Sequence, residues 1–155
     1  MKTALIFGST GLVGGILLKL LVNDEKYKKF LSNLMLPLVD RIKLKSIGLD
    51  YGCGPGPALS LMLREKGYQM FNFDPFFHPK KSNLLKKYDF ISCSETVEHF
   101  HNPFYEFTRL NELLNDGGII GIMTNFHSKE NIFENWYYIK DPTHVVFYSK
   151  NTFLI

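Results

Sequence analysis

Acids and imidazoles cluster in the segment SETVEHFH, residues 94–101. If this segment forms a helical turn, Glu95, Glu98 and His99 share one face, since residues three and four apart are neighbours on a helix. The reference pKa of histidine lies near neutrality, so His99 is suited to act as a general base. A purely structural, hydrogen-bonded histidine is the alternative. Two carboxylates and two imidazoles also suit magnesium, manganese or zinc, but no ligand spacing here is diagnostic.

A glycine-rich loop lies in LDYGCGPGPAL, residues 49–59. Three alternating glycines, Gly52, Gly54 and Gly56, follow an apolar run typical of a strand and precede a helical pattern. A backbone without Cβ atoms can approach a ligand closely, and the amides of the next helix then point at that ligand. A plain tight turn is the alternative, because this glycine pattern alone is a modest signal.

An acid follows the next predicted strand in FNFDPF, residues 71–76. Asp74 lies at the end of that strand, where a carboxylate is well placed to accept hydrogen bonds from both hydroxyls of a ribose. The competing interpretation is a solvated Asp-Pro turn.

These motifs need a scaffold, and the apolar pattern alternates between strands and helices. The pattern predicts a helix over 27–44, with a kink or break at Pro37. It predicts a second helix that begins at Pro57 and ends at Gly67. The other predicted elements are strands 3–7, 46–52, 68–74, 87–94 and 119–126, and a helix over 104–114 that ends at NDGG. This alternation predicts an α/β fold with a mostly parallel sheet flanked by helices on both faces.

Four motifs in this order carry a family resemblance: LDYGCGPGP, NFDPFF, YDFISCSETVEHFHNP and NDGGIIGIMT. Together they resemble the motif series of class I S-adenosylmethionine-dependent methyltransferases, over about residues 27–155. The resemblance implies a Rossmann-like methyltransferase fold with S-adenosylmethionine as cofactor. It also implies methyl transfer to an oxygen or nitrogen of a small-molecule acceptor.

The resemblance assigns residues by position. It implies a ribose contact at Asp74, places Ser94 and Glu95 near the sulfonium, and makes His99 and Glu95 our candidates for catalysis. The implied cofactor-binding residues are Asp50, Tyr51, Gly52, Cys53, Gly54, Gly56, Asp74, Pro75, Ser94 and Glu95.

Members related to ubiquinone and small-RNA 2′-hydroxyl methyltransferases bind a divalent metal through residues similar to this acid–histidine group. By that resemblance His144 is a further ligand candidate, although we predict no resident metal. The aromatic residues Trp136, Tyr137 and Tyr138 are candidates to line an acceptor pocket, with a role in the core as the alternative.

A second glycine motif, IFGSTGLVGG, occupies residues 6–15. It resembles the start of short-chain dehydrogenases and epimerases, which implies an NAD(P) contact at Gly8, Gly11 and Gly14. The context that such a site needs is missing, because a helical pattern replaces the second strand. We predict a strand–helix appendage over 1–24 and a methyltransferase-like domain over 25–155. An NAD(P)-binding oxidoreductase and a non-catalytic nucleoside-binding domain are the alternatives.

The bulk composition excludes several classes. Hydrophobic residues make up 45% and charged residues 21%, with a net charge of +3. No basic stripe favours nucleic acid and no apolar span favours a membrane. Two cysteines outside any CxxC pair predict free thiols and a cytoplasmic location.

Two features depart from the resembled family. Only residues 75–88 separate Asp74 from Asp89, which leaves little room for a helix and strand that carry adenine contacts. The antiparallel strand pair that completes the family's sheet is not predicted before Ile155, so we expect a sheet that is incomplete at its C-terminal side.

Overall fold

The computed structural model describes residues 24–127 and 133–153. Its strands are β1 (Ile47–Tyr51), β2 (Gln69–Phe73), β3 (Tyr88–Ser94) and β4 (Leu114–Met123), and its α-helices are α1 (Glu25–Val39), α2 (Ala58–Glu65) and α3 (Pro103–Leu113). The four strands form one sheet in the order β2-β1-β3-β4, and every pairing is parallel. The predicted α/β class with a parallel sheet is therefore confirmed.

One face of the sheet packs against α1 and α2. The apolar stripe of α1, represented by Leu31, Leu34 and Leu38, joins Met70 and Phe90 in one buried cluster. Helix α1 lies close to β4, since a Cβ added at Gly121 would be 3.1 Å from Leu34 Cδ1. Burial of this stripe follows from its spacing of three and four residues.

The other face packs against α3 and the C-terminal segment. Leu110 and Leu113 of α3 lie in one cluster with Leu49, Ile91 and Cys93 of the central strands. Because both faces are covered, most residues of the central strands β1 and β3 are buried whichever face they point to.

Two helix ends differ from prediction by a few residues. Helix α1 continues through Pro37 and ends at Val39 rather than at 44. The pyrrolidine ring provides no N–H, so the helix does not extend much beyond it. Pro57 is the residue before α2 rather than its first residue. Gly67 ends α2 as predicted, with φ +90° and its amide bonded to Arg64 O at 2.9 Å.

The NDGG segment does not end the helix as a separate turn. Leu114 directly after α3 already pairs with Tyr88, and pairing resumes at Ile119 opposite Phe90. Residues 115–118 therefore form a bulge within β4, which Gly117 permits with φ +74°. The strand ends at Met123, three residues before the predicted end.

Between β2 and β3 the chain forms one short 3-10 helix, Lys81–Leu85, and no strand. This agrees with the shortage of room expected there. The predicted appendage, including the second glycine motif, lies outside the described residues apart from Asp24, which caps α1 through its carboxylate. In the described part of the chain, no helix is long and apolar enough to cross a membrane.

Candidate active site

The glycine loop lies at the carboxyl end of β1, where ligands bind in open parallel sheets. Gly52 and Gly54 both have left-handed backbones, with φ +76° and +62°. They differ in surroundings: a Cβ at Gly52 would lie 2.1 Å from Thr96 Cγ2, whereas a Cβ at Gly54 would meet no atom within 4 Å. Gly52 therefore allows the loop to pack on Thr96, and Gly54 leaves open space in front of the backbone.

Asp74 is joined directly to this loop. Its Oδ2 accepts the Gly54 amide at 3.1 Å, and its Oδ1 accepts the amides of Phe76 and Phe77 at 2.9 Å each. A carboxylate offers about four lone-pair positions, so one position on Oδ2 remains for a ligand hydroxyl. Asp74 thus forms an Asp-Pro turn, but a buried one, since the residue is 7% exposed. One acceptor position remains beside the open space at Gly54, and the expected contact with a ribose stays a prediction.

Asp50 supports the loop from beneath. It is 3% exposed, and its Oδ1 accepts the Ser92 hydroxyl at 2.9 Å. Burial raises the pKa of Asp50 to about 6, although hydrogen bonds from Ser92 and the Ser60 amide oppose this shift. The Asp50 carboxyl group therefore bonds to other residues of the protein. We predict that it contributes to the cofactor site by supporting the glycine loop.

The remaining predicted cofactor residues lie around the loop in different settings. The Tyr51 side chain is buried and its hydroxyl donates to Glu106 Oε2 at 2.5 Å, so it is committed to α3. Burial raises the pKa of the Cys53 thiol, so the thiol stays protonated. Gly56 is partly buried and Pro75 is exposed.

Glu95 follows β3 at the same edge of the sheet, next to the partly buried Ser94. Burial, and then the neighbouring Glu98 carboxylate, raise the pKa of Glu95 to about 7. The Tyr138 hydroxyl lies 3.4 Å from its Oε2. A carboxyl group with this pKa can exchange a proton at physiological pH.

Glu98 is the most buried member of the acid–histidine cluster, which we define as Glu95, Glu98, His99 and His144. Glu98 is 0% exposed; its Oε1 accepts the Tyr138 hydroxyl at 2.5 Å and its Oε2 accepts Thr124 Oγ1 at 3.0 Å. Sequence reasoning missed Thr124, since nothing local signals that the residue after β4 reaches this carboxylate.

The two histidines of the cluster are held in the same way. His99 Nδ1 lies 2.8 Å from Thr143 O, and His144 Nδ1 lies 2.8 Å from Tyr138 O. A carbonyl only accepts, so each Nδ1 carries a hydrogen, and Nε2 is the atom of each ring that can bind a proton or a metal. His144 Nε2 also lies 3.9 Å from Asp141 Oδ2. The two ring centroids are 4.9 Å apart.

Ligand atoms of Glu98, His99 and His144 all lie within 4.8 Å of one another. Histidines whose Nδ1–H is fixed by a carbonyl are typical of metal sites, and the same fixation also orients a general base. The structure thus brings His144 to the predicted cluster, and it allows both chemistries that the sequence left open.

The aromatic segment differs from the expected acceptor pocket. Trp136 is 8% exposed and Tyr138 is 4% exposed, whereas Tyr137 is 52% exposed. Tyr138 uses its hydroxyl on Glu98, and the Trp136 ring packs on Phe147 at 5.7 Å between centroids. Of the three, only Tyr137 has the exposure that contact with an acceptor requires.

The arrangement of strands and loops is that of a Rossmann-like methyltransferase fold. A Bacillus halodurans protein assigned as a methyltransferase has a similar structure, with a TM-score of 0.56 and 17% identity over 81% of this chain. This chain spans 65% of that protein's length. An S-adenosylmethionine-dependent methyltransferase of Thermotoga maritima gives a TM-score of 0.47 and 16% identity, over 90% of this chain and 72% of that chain.

The methyltransferase-domain family matches residues 24–154. The chain belongs to this family, so the resemblance seen in its motifs is confirmed. No curated protein matches the chain in sequence.

Proposed function

We propose that this chain transfers the methyl group of S-adenosylmethionine to an oxygen or nitrogen of a small-molecule acceptor. The observation that carries the proposal is the pairing of Gly54 with Asp74 at the carboxyl ends of β1 and β2. The bare backbone of Gly54 faces open space, and its amide is bonded to a carboxylate that can still accept a hydroxyl. Ligands of open parallel sheets bind at the carboxyl ends of the strands, which supports this position for a nucleoside cofactor.

The bound cofactor would supply an activated methyl group, so the chain has to orient the acceptor and exclude water. Transfer of this methyl group to an O–H or N–H acceptor would require a residue of the chain to take the proton of the acceptor atom. His99 Nε2 has the free lone pair to take this proton. Glu95, with a pKa of about 7, is the second group placed to accept it.

Calorimetric titration with S-adenosylhomocysteine tests the cofactor site. Gly54→Ala should weaken binding by about tenfold or more, because a Cβ would occupy the ligand's space. Gly117→Ala is the matched control: its φ is +74°, a Cβ there also meets no atom within 4 Å, and it lies in the β4 bulge. Each variant should lose about 1 kcal/mol of stability from backbone strain, but only Gly54→Ala should lose affinity. No binding to the unaltered chain at millimolar ligand would exclude the proposal.

A divalent cation held by Glu98, His99 and His144 is the second candidate for activation of the acceptor. The ligand atoms of these three residues all lie within 4.8 Å of one another, and hydrogen bonds to backbone carbonyls hold both imidazole rings, which favours a metal site. Titration with Mn²⁺ separates the two mechanisms. Binding that is lost in His144→Gln and retained in His101→Gln, a nearby exposed control, would support a metal-activated hydroxyl acceptor. No binding at about 1 mM would leave His99 as the base.

A cytoplasmic location and a small-molecule acceptor remain parts of this proposal. Cys53 and Cys93 are both free, which is typical of a reducing compartment. The alternative NAD(P) site at Gly8, Gly11 and Gly14 falls outside the described residues and stays a prediction.

A further inference from the structure

The buried stripe of α1 continues toward the start of the helix in an aromatic residue. Tyr27 is four residues before Leu31 and seven before Leu34, so it lies on the same side of the helix as these two leucines. Leu31 is 1% exposed and Leu34 is 7% exposed, whereas Tyr27 is 37% exposed. The sheet therefore covers the stripe at Leu31 and Leu34 and leaves the Tyr27 side chain partly uncovered.

The direction of α1 explains this difference in exposure. The helix ends at Val39, and residues 40–46 connect it to the beginning of β1, so its first turn lies where the strands finish. Leu34 packs on Gly121, two residues before the end of β4. Tyr27 is about 10 Å along the helix from Leu34, whereas only about 7 Å of β4 follow Gly121. Tyr27 is therefore level with the loops that follow the strands.

Two carboxyl groups identify the loops that Tyr27 faces. Asp50 is in β1, Glu95 follows β3, and these two strands are adjacent. Burial raises the pKa of Tyr27, and the carboxylates of Asp50 and then Glu95 raise it further, so the hydroxyl lies near both groups. The strand that follows β1 lies on one side of this pair and the strand that follows β3 lies on the other. A crevice at such a reversal of strand order is where ligands bind in open α/β sheets.

The groups around this crevice suit a cation. One side of the Tyr27 ring stacks on Phe30, with 6.3 Å between the centroids. The face of an aromatic ring attracts a cation, and a carboxylate does so through its charge. Arg64 already interacts with the Asp50 carboxylate. The Tyr27 ring and the Glu95 carboxyl group are therefore the better candidates to contact a cationic ligand.

We propose that Tyr27 binds the sulfonium of S-adenosylmethionine through the face of its ring. This inference rests on the proposed function, in which the cofactor binds at the glycine loop and Glu95 lies beside the acceptor. A sulfonium is a cation, and S-adenosylhomocysteine has a neutral thioether in its place. Tyr27 therefore distinguishes the methyl donor from the demethylated product, which favours exchange of the product for a new donor.

Calorimetric titration of the whole chain with S-adenosylmethionine and with S-adenosylhomocysteine tests this role. Tyr27→Leu should weaken binding of S-adenosylmethionine by about tenfold, and it should change the affinity for S-adenosylhomocysteine by less than about twofold. Tyr27→Phe retains the ring and should bind both ligands like the unaltered chain. Retained affinity for S-adenosylhomocysteine also shows that each variant is folded.

Two further variants serve as controls. Phe104→Leu removes a ring that is 84% exposed in the first turn of α3, and it should change neither affinity. Gly54→Ala should weaken both ligands to the same extent, because it acts on a part of the cofactor that the two ligands share.

Three results would overturn the proposal. Equal weakening of both ligands by Tyr27→Leu would mean that Tyr27 contacts the nucleoside or only shapes the crevice. Equal losses in Tyr27→Phe and Tyr27→Leu would assign the contact to the hydroxyl. Unchanged affinities in Tyr27→Leu would show that the ring does not reach the cofactor. In these three cases binding of S-adenosylhomocysteine to the unaltered chain would still support the proposed function, whereas absence of that binding would overturn both proposals.

Discussion

Glu95 has a left-handed backbone, with φ +47°, which is rare for a residue with a Cβ. Its amide bonds to Met123 O at 2.8 Å, so the sheet holds the conformation in place. Strain of this kind collects at functional sites. Here it puts a carboxyl group beside Glu98, and burial together with that neighbour raises the pKa of Glu95 to about 7.

The raised pKa predicts a specific pH dependence of stability. The folded state binds the proton more tightly than the unfolded state, so Glu95 destabilises the fold progressively as pH rises from about 4.5 to about 7. Glu95→Gln should therefore gain about 1 kcal/mol over the unaltered protein between pH 4 and pH 8, a figure that allows for solvent screening of a partly exposed group.

Urea unfolding at the two pH values measures this gain. Glu112→Gln, at an exposed position of α3, is the control and should follow the unaltered protein. Parallel curves for Glu95→Gln and the unaltered protein would show that the carboxyl group titrates normally.

Gly52 and Gly54 show what residue type alone leaves open. Both were predicted to line the cofactor because a loop with alternating glycines allows a ligand close to the backbone. Their φ angles are similar, yet Thr96 fills the space at Gly52 while Gly54 faces open space. A residue distant in sequence, Thr96, therefore decides which of the two glycines has open space in front of its Cα.

At the scale of elements, β1 has a close packing contact in the middle of the sheet. A Cβ at Gly48 would lie 2.2 Å from Phe90 Cζ and 2.7 Å from Met70 Sδ. The ring of Phe90 on β3 therefore lies directly over the backbone of β1. Both neighbours are buried, so they have little freedom to move aside.

Gly48→Ala should cost about 2 to 3 kcal/mol by overpacking. A double-mutant cycle with Phe90→Leu should show a favourable coupling of about 1 kcal/mol or more, because the smaller side chain makes room for the added methyl. Urea denaturation of the four proteins provides the numbers. Strict additivity would mean that the strands separate to accept the methyl group, contrary to the tight packing seen here.

The bulge in β4 could not be predicted from the apolar periodicity of the sequence. NDGG has the composition of a helix stop, and it was predicted as one. Hydrogen bonds of Asp89 hold the NDGG segment within β4. Asp89 Oδ1 accepts Asn115 Nδ2 at 2.8 Å, and Asp89 Oδ2 accepts the Ile47 amide at 2.7 Å. One carboxylate on β3 thus ties together the start of β1 and the bulge.

At the scale of the whole molecule, the C-terminal segment completes the site. Val145 N donates to Glu98 O at 2.9 Å, and the Tyr148 hydroxyl donates to Val97 O at 2.9 Å. These bonds bring His144 and Tyr138 to the cluster that begins at Glu95. The acid–histidine cluster is therefore built from two distant parts of the chain, as the separation of 40 residues between Tyr138 and Glu98 shows.

The sequence by itself determined the α/β class, the order of strands and helices from residue 27 onward, and the positions of the glycine loop and Asp74. These are local properties, since apolar periodicity, glycine and Asp-Pro chemistry act within a few residues. Tertiary structure alone decided that Gly54 is open, that Asp50 lies buried beneath the loop, and that Glu98 is enclosed by Thr124 and Tyr138. Those outcomes depend on which distant side chains arrive next to each residue. Burial and hydrogen bonds between distant parts of the chain set these outcomes, so they cannot be predicted from residues that are neighbours in sequence.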